Sequence, residues 1–172
     1  HQREFQFNVN NCQQNIVSAI GQNGSTPTFN ACAGVPMTFT NYSTGTNAYN
    51  WNFGVIPGTN STAQYPSYTY TNVGTYNVTL IVSPTTACAD TSHATVIVNP
   101  IPVVTASNNG PICAGQNVNL SSATANPSPT YSWSGPNSFS SSQQNTSVTN
   151  LSTTSTYTVA VTSLGCTGTG TT

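Results

Sequence analysis

Charge is almost missing from this sequence. Only Arg3, Glu4 and Asp90 are formally charged at neutral pH among 172 residues, against roughly a quarter of the residues in an average soluble domain. No basic patch can form, so the attraction to a phosphate backbone that drives nucleic-acid binding is absent, and nucleic acid is excluded as a partner. Anionic lipid is excluded on the same ground. Long apolar runs are missing too: the stretch Leu80 to Val82 is typical, whereas a bilayer needs about 20 apolar residues, so no segment reads as membrane-inserted. The opening HQREFQFNV lacks the basic, apolar and small-residue regions of a signal peptide, so an exported chain would have lost its signal or carried it outside this piece.

Groups that move protons are equally scarce. Glu4 and Asp90 are the only carboxylates, which leaves no pair for acid and base work. His93 lies three residues from Asp90 on an expected strand, and period-2 alternation turns the two to opposite faces, against a Ser-His-Asp arrangement. Five cysteines and two histidines suffice in number for zinc, but no C-x2-C or H-x3-H spacing occurs, so disulfides explain the cysteines better than a metal. No glycine-rich loop opens a helix, so no nucleotide site or other cofactor is expected. The chain reads as a non-enzyme with no catalytic and no metal-ligating residues.

What is present is a repeat. CAGVPMTFT, starting at Cys32, is echoed by CAGQNVNLS, starting at Cys113. Tyr49-Asn50-Trp51-Asn52 then aligns with Tyr131-Ser132-Trp133-Ser134, Thr75-Tyr76 with Thr156-Tyr157, and Cys88 with Cys166, at offsets of 81, 82, 81 and 78. Landmarks in one order at a near-constant offset mean two copies of one fold. Stretches such as TYNVTLIVS and TYTVAVTS alternate β-branched or aromatic residues with polar ones, and Gly, Pro and Asn interrupt them at short intervals. That pattern predicts all-β, tandem antiparallel sandwiches. The expected domains are 23–100 and 101–172, the second cut short at its last strand, with 1–22 as the closing strand of a preceding repeat or an N-terminal extension.

Small sandwiches gain from cross-links, and a polar, Thr-rich chain suits an oxidising, extracellular setting. Pairing Cys32 with Cys88 and Cys113 with Cys166 treats both copies alike, although spacing alone does not fix connectivity. Each bridge would close a loop worth about 3–5 kcal/mol on the chain-entropy model. Cys12 is left unpaired or linked to another repeat. Trp51, Tyr76, Trp133 and Tyr157 are expected as core anchors, and Tyr65, in QYPSYTY, is the candidate for a ligand contact. Asn-x-Ser/Thr triplets occur at Asn23, Asn41, Asn60, Asn77, Asn119, Asn145 and Asn150, opportunities for glycans in a surface protein.

The run YNWNFG followed by YPSYTYTNVGTYNVTLIVS resembles the polycystic-kidney-disease (PKD) type of immunoglobulin-like domain. Its pattern of Trp, Phe, Gly, Pro, aromatic and Gly-x-Tyr-x-Val-x-Leu is met by Trp51, Phe53, Gly54, Pro66, Tyr70, Gly74, Tyr76, Val78 and Leu80. Asn52 and Val55 stand where that family usually has Asp, which removes carboxylates otherwise available to calcium. The second copy is similar to the Ig-like repeats beside PKD domains in very large secreted surface proteins of gliding bacteria, including gliding-motility adhesins exported by the type IX route. The resemblance implies an extracellular, cell-surface, non-enzymatic glycoprotein: the shaft of an adhesin or a self-assembling filament. Its expected partners are neighbouring domains of the same long chain, copies of itself in a homopolymer, and glycans. The alternative is a carbohydrate-binding accessory module of a secreted hydrolase.

Overall fold

The computed structural model describes residues 16–21 and 26–172. Every regular element among them is a strand, and they divide into two compact units, one ending at Val98 and one holding 31–33 together with 99–172.

Seven strands start in the first unit: β1 (Thr28–Cys32), β2 (Pro36–Thr38), β3 (Tyr49–Asn52), β4 (Asn60–Ser61), β5 (Ser67–Thr69), β6 (Gly74–Val82) and β7 (Asp90–Asn99), the last residues of β1 and β7 falling in the second. They form a five-stranded sheet in the order β1-β7-β6-β3-β4 and a two-stranded sheet of β2 and β5. Alternation in β6 sends Val78, Leu80 and Val82 inward, and in β7 it sends Ala94, Val96 and Val98 inward. The long β6–β7 ladder pairs Val82 with Asp90 and Gly74 with Val98, so the hairpin is in register along its whole length. β1 breaks the antiparallel rule. Thr95 N–H donates to Pro27 O and Ala33 N–H to Asn99 O, and these bonds advance in the same sense along both chains, so β1 lies parallel to β7.

Residues 16–21 pack into this unit. Val17 bridges Thr44, Ile20 bridges Asn41, and Ile20 is buried. The expectation of a preceding repeat over 1–22 otherwise falls on residues outside those described.

The second unit repeats the plan with β8 (Thr105–Asn108), β9 (Gln116–Ala123), β10 (Thr130–Ser134), β11 (Ser140–Ser141), β12 (Asn145–Leu151), β13 (Thr158–Ser163) and β14 (Cys166–Thr171). One sheet runs β11-β10-β13-β14 and the other β12-β9-β8. Val118, Leu120, Trp133, Tyr157, Val159 and Val161 form its core. The last strand, β14, pairs with β13 from Ser163↔Cys166 to Thr158↔Thr171. Gly168 is there because a Cβ would collide with Pro102 O, so the segment before β8 lies tight against β14.

Candidate functional site

The same bracket stands at the centre of each unit. Trp51, fully buried on β3, pairs across the strands with Ser61 on β4, and its Nε1–H donates to Ala63 O at 3.0 Å. Ser61 Oγ accepts from Ala63 N–H at 3.3 Å, which fixes the carbonyl that the indole reaches. In the second unit Trp133 pairs with Ser141 and donates to Gln143 O at 3.0 Å, while Ser141 Oγ accepts from Gln143 N–H at 3.2 Å. A buried indole N–H without a partner would be costly, and one serine per unit solves that problem. Neither serine carries a signal in the sequence, because the turn that uses it is visible only once β4 and β11 are placed.

Aromatic rings fill the rest of the first core. Phe53 stacks on Tyr68 at 4.4 Å, Tyr68 meets Tyr70 edge-on at 4.7 Å, and Tyr70 meets Tyr76 at 4.5 Å. Tyr70 is buried and its hydroxyl donates to Phe53 O at 3.0 Å. Burial pushes its phenol well above the ordinary tyrosine range, and the neighbouring Tyr68 and Tyr76 add to the rise. Tyr76 is only half-buried and donates to Asn72 O, so the inward residues of β6 are its aliphatic ones. Tyr157 is buried at the entrance to β13, lying over Gly135 so closely that a Cβ there would strike its ring. Gly54, with φ of 75°, has an equivalent place: a Cβ would fall 2.5 Å from Asn77 O.

Asp90 and His93 do not form a catalytic pair. Both Asp90 carboxylate oxygens accept backbone N–H groups, from Ser18 at 2.8 Å and from Thr91 at 2.9 Å. His93 is exposed, with Nδ1 beside Thr79 Oγ1 at 3.2 Å. Asn52, which replaces an acid in the PKD pattern, accepts from Gly54 N–H at 2.8 Å and so shapes its own turn. Among the described residues no three His, Cys, Asp or Glu side chains converge as metal ligands.

The cysteine pairing expected from the repeat is not the one formed. Cys32 is bonded to Cys166, with Cα atoms 5.6 Å apart, Cys88 is disulfide-bonded, and Cys113 is an exposed free thiol. Strand direction gives the reason. Cys32 closes β1 beside Asn99, at the end of β7, whereas Cys88 precedes the start of that same ten-residue strand. At about 3.3 Å per residue the two lie roughly 30 Å apart, far beyond the ~7 Å that a disulfide spans. Cys12 lies outside the described residues.

What the CAG echo repeats is a turn. Gly34 and Gly115 have φ of 78° and 81°, and their N–H groups donate to Tyr70 O at 2.8 Å and Leu151 O at 2.9 Å. Left-handed backbone of this kind favours glycine, which explains the phrase without any shared cross-link.

Two surface features complete the inventory. Tyr65 and Tyr42 are 57% and 48% exposed, and Asn41 Nδ2, next to Tyr42, donates to Gln64 O, next to Tyr65. In the second unit a cleft of about 390 Å³ is lined by Ile112, Val118, Leu120, Leu151 and Tyr157 together with the hydroxyl-bearing run 152–155. No acid, His, Lys or Arg lines it.

Sheets of alternating strands closed over a central Trp define an immunoglobulin-like β-sandwich protein. Residues 20–98 match the family model described as the PKD domain, which supports a PKD/Ig-like domain over that part of the chain. Among curated proteins no significant match exists. Among solved structures the chain is similar to the amphioxus IgVJ-C2 molecule, at 15% identity and TM-score 0.39 over 83% of this chain and 97% of that one. It is also similar to the insect immune protein hemolin, at 13% identity and TM-score 0.42, over 92% of this chain and 46% of that one. A chimeric titin Z1Z2 tandem gives 13% and 0.34 over 92% and 96%.

Proposed function

We propose that the protein is a structural segment of an extracellular shaft, either of a cell-surface adhesin or of a self-assembling filament. The observation that carries this reading is the bonded state of its cysteines: the Cys32–Cys166 bridge, together with a disulfide at Cys88, belongs to an oxidising compartment. Support comes from the PKD/Ig-like fold, a role that is non-enzymatic in general, and from hydrogen-bonded ladders built around the two Trp brackets. Glycans on triplets whose Asn is exposed, such as Asn60, Asn119 and Asn145, and copies of the same chain are the partners of this reading. The resemblance of the second copy to repeats of gliding-motility adhesins is in keeping with this reading.

Immunogold electron microscopy of intact source cells tests it. Label on filaments or stalks outside the cell is the expected result; label confined to the cytoplasm would sink the reading.

A second reading rests on Tyr65 and Tyr42, whose exposed rings on hydrogen-bonded neighbouring segments suit stacking on a sugar, as in an accessory module of a secreted hydrolase. Co-sedimentation with chitin and cellulose decides it. Retention lost in Tyr65→Ala supports sugar binding, and protein left in the supernatant removes it.

A further inference from the structure

We propose that the cleft of the second unit is a binding site for a neutral phenolic ring, a flat aromatic ring that carries a hydroxyl and no charge. One unit fills with tyrosine the place that the other leaves open. Gly34 N–H donates to Tyr70 O and Gly115 N–H to Leu151 O, so Tyr70 and Leu151, 81 positions apart, hold equivalent places. Tyr76 and Tyr157 stand at the same offset, and so do Phe39 and Leu120. On the paired strands Tyr68 lies opposite Met37, and Val148 lies opposite Val118. The first unit therefore packs Phe39, Tyr68 and Tyr70 where the second has Leu120, Val148 and Leu151.

The exchange of rings for aliphatic side chains changes the packing. In the first unit Phe39 meets Phe53 at 5.4 Å, and Tyr70, 2% exposed, lies 4.5 Å from Tyr76. In the second, Tyr157 has Phe139 as its ring neighbour, at 5.3 Å. Smaller side chains leave volume unfilled, and the cleft of about 390 Å³ is lined by Leu120, Leu151 and Tyr157, the equivalents of Phe39, Tyr70 and Tyr76. That volume is in the range of small-molecule sites.

Backbone contacts hold the cleft in shape. Gly115 N–H to Leu151 O at 2.9 Å ties together the two segments that bound it, and Asn108 Oδ1 accepts from Gly110 N–H at 2.6 Å. A site formed in advance loses little to ordering when it binds. Its lining selects the ligand. An ion would give up hydration with no acid, His, Lys or Arg to replace it. A sugar would turn several hydroxyls onto Val118, Leu120 and Leu151, which offer them nothing. A phenol presents apolar faces to those side chains and one hydroxyl to the wall formed by 152–155, where Ser152, Thr153 and Thr154 are exposed. Such a ring has two sources: a free phenolic compound, or an exposed tyrosine of another copy such as Tyr65, 57% exposed.

Titration of the isotope-labelled full chain with p-cresol, followed by NMR, tests the site. Saturable shifts centred on 110–115 and 151–157 are expected, with a dissociation constant of about 0.1–1 mM, within reach of so small a ring. The same ring with a charge, 4-methylbenzoate, should leave those signals in place. Leu151→Tyr restores the side chain that fills the first unit, and should weaken p-cresol binding by about tenfold or more. Ala114→Trp, at an exposed position on the edge of the cleft, should do the same and serves if Leu151→Tyr does not fold. Absent shifts, equal binding of the benzoate, or full affinity in the folded variants would overturn the site. Sedimentation velocity then identifies the source of the ring. Association of the full chain that p-cresol and Tyr65→Ala each reverse assigns a tyrosine of another copy; p-cresol binding without that reversal assigns a free phenolic compound. Binding in solution is independent of where the protein resides, so an empty cleft leaves the shaft reading standing, and label confined to the cytoplasm leaves the cleft standing.

Discussion

A tryptophan indole buried in each core depends on a serine ten or fewer positions away, and this small arrangement sets the energetics at the scale of single residues. Trp51→Phe removes packed atoms and the donor to Ala63 O, and should cost about 1–3 kcal/mol. Ser61→Ala only loosens the accepting carbonyl and should cost about 0.5–1 kcal/mol. Urea titrations of both variants and of the double variant check this: a double-variant loss smaller than the sum of the two shows that they act as one unit, and a silent Ser61→Ala leaves packing alone as the explanation. Tyr70 adds a pH signature. Its phenol is raised by burial in the folded chain, so its contribution is fully present below the unfolded pKa of about 10 and is lost as pH rises past that value toward the folded one. Stability of the first unit should therefore fall steeply in strong alkali. Tyr70→Phe should flatten that fall in a pH series of urea midpoints, while costing about 1–2 kcal/mol at neutral pH through the unpaired Phe53 carbonyl.

Among the elements, the long strands were legible in the sequence and the short or unusual ones were not. β6, β7, β9 and β13 alternate cleanly because one face of each is buried, and the two-copy plan followed from landmarks such as Trp51 and Trp133. β1 is different: its TFNAC gives no alternation that would reveal a parallel edge strand. Its direction nevertheless decides which cysteine can reach Cys32. Connectivity was therefore the part of the candidate site that spacing could not deliver, since it depends on where strands begin and end in space. The segment 16–21 was obscure for a related reason. It is held by Asp90, whose two oxygens accept from Ser18 and Thr91, and by Ser18 Oγ, which lies 2.7 Å from Ser92 Oγ and 3.2 Å from Leu80 O. The contacts of Ser18 join residues more than 60 positions apart. Asp90→Ala should leave Ser18 N–H without its partner, cost about 1–3 kcal/mol, and release that segment first. Hydrogen exchange read by mass spectrometry should show faster exchange over 16–21 while β6 and β7 keep their protection. Unchanged exchange there would mean that Ile20 burial alone holds the segment.

At the scale of the whole molecule the governing quantity is a formal net charge of −1 over 172 residues. Copies of such a chain barely repel one another, and any contact between them is made by hydroxyls, amides and scattered apolar side chains. The strand edges are poorly suited to that contact. β4 and β11 are two residues long, and β14 has Pro102 and Val104 lying against its glycines, so open-ended strand addition is blunted at three of the sheet edges. Association should then run through sheet faces rich in Thr, Ser and Asn, and its strength should be nearly independent of ionic strength. Sedimentation velocity from about 0.1 to 1 M NaCl covers a fall in Debye length from ~10 to ~3 Å. A filament-forming chain of this composition should show the same size distribution throughout. A distribution that shifts strongly toward monomer as salt rises would require charged contacts, which the three formally charged side chains of this sequence are too few to supply.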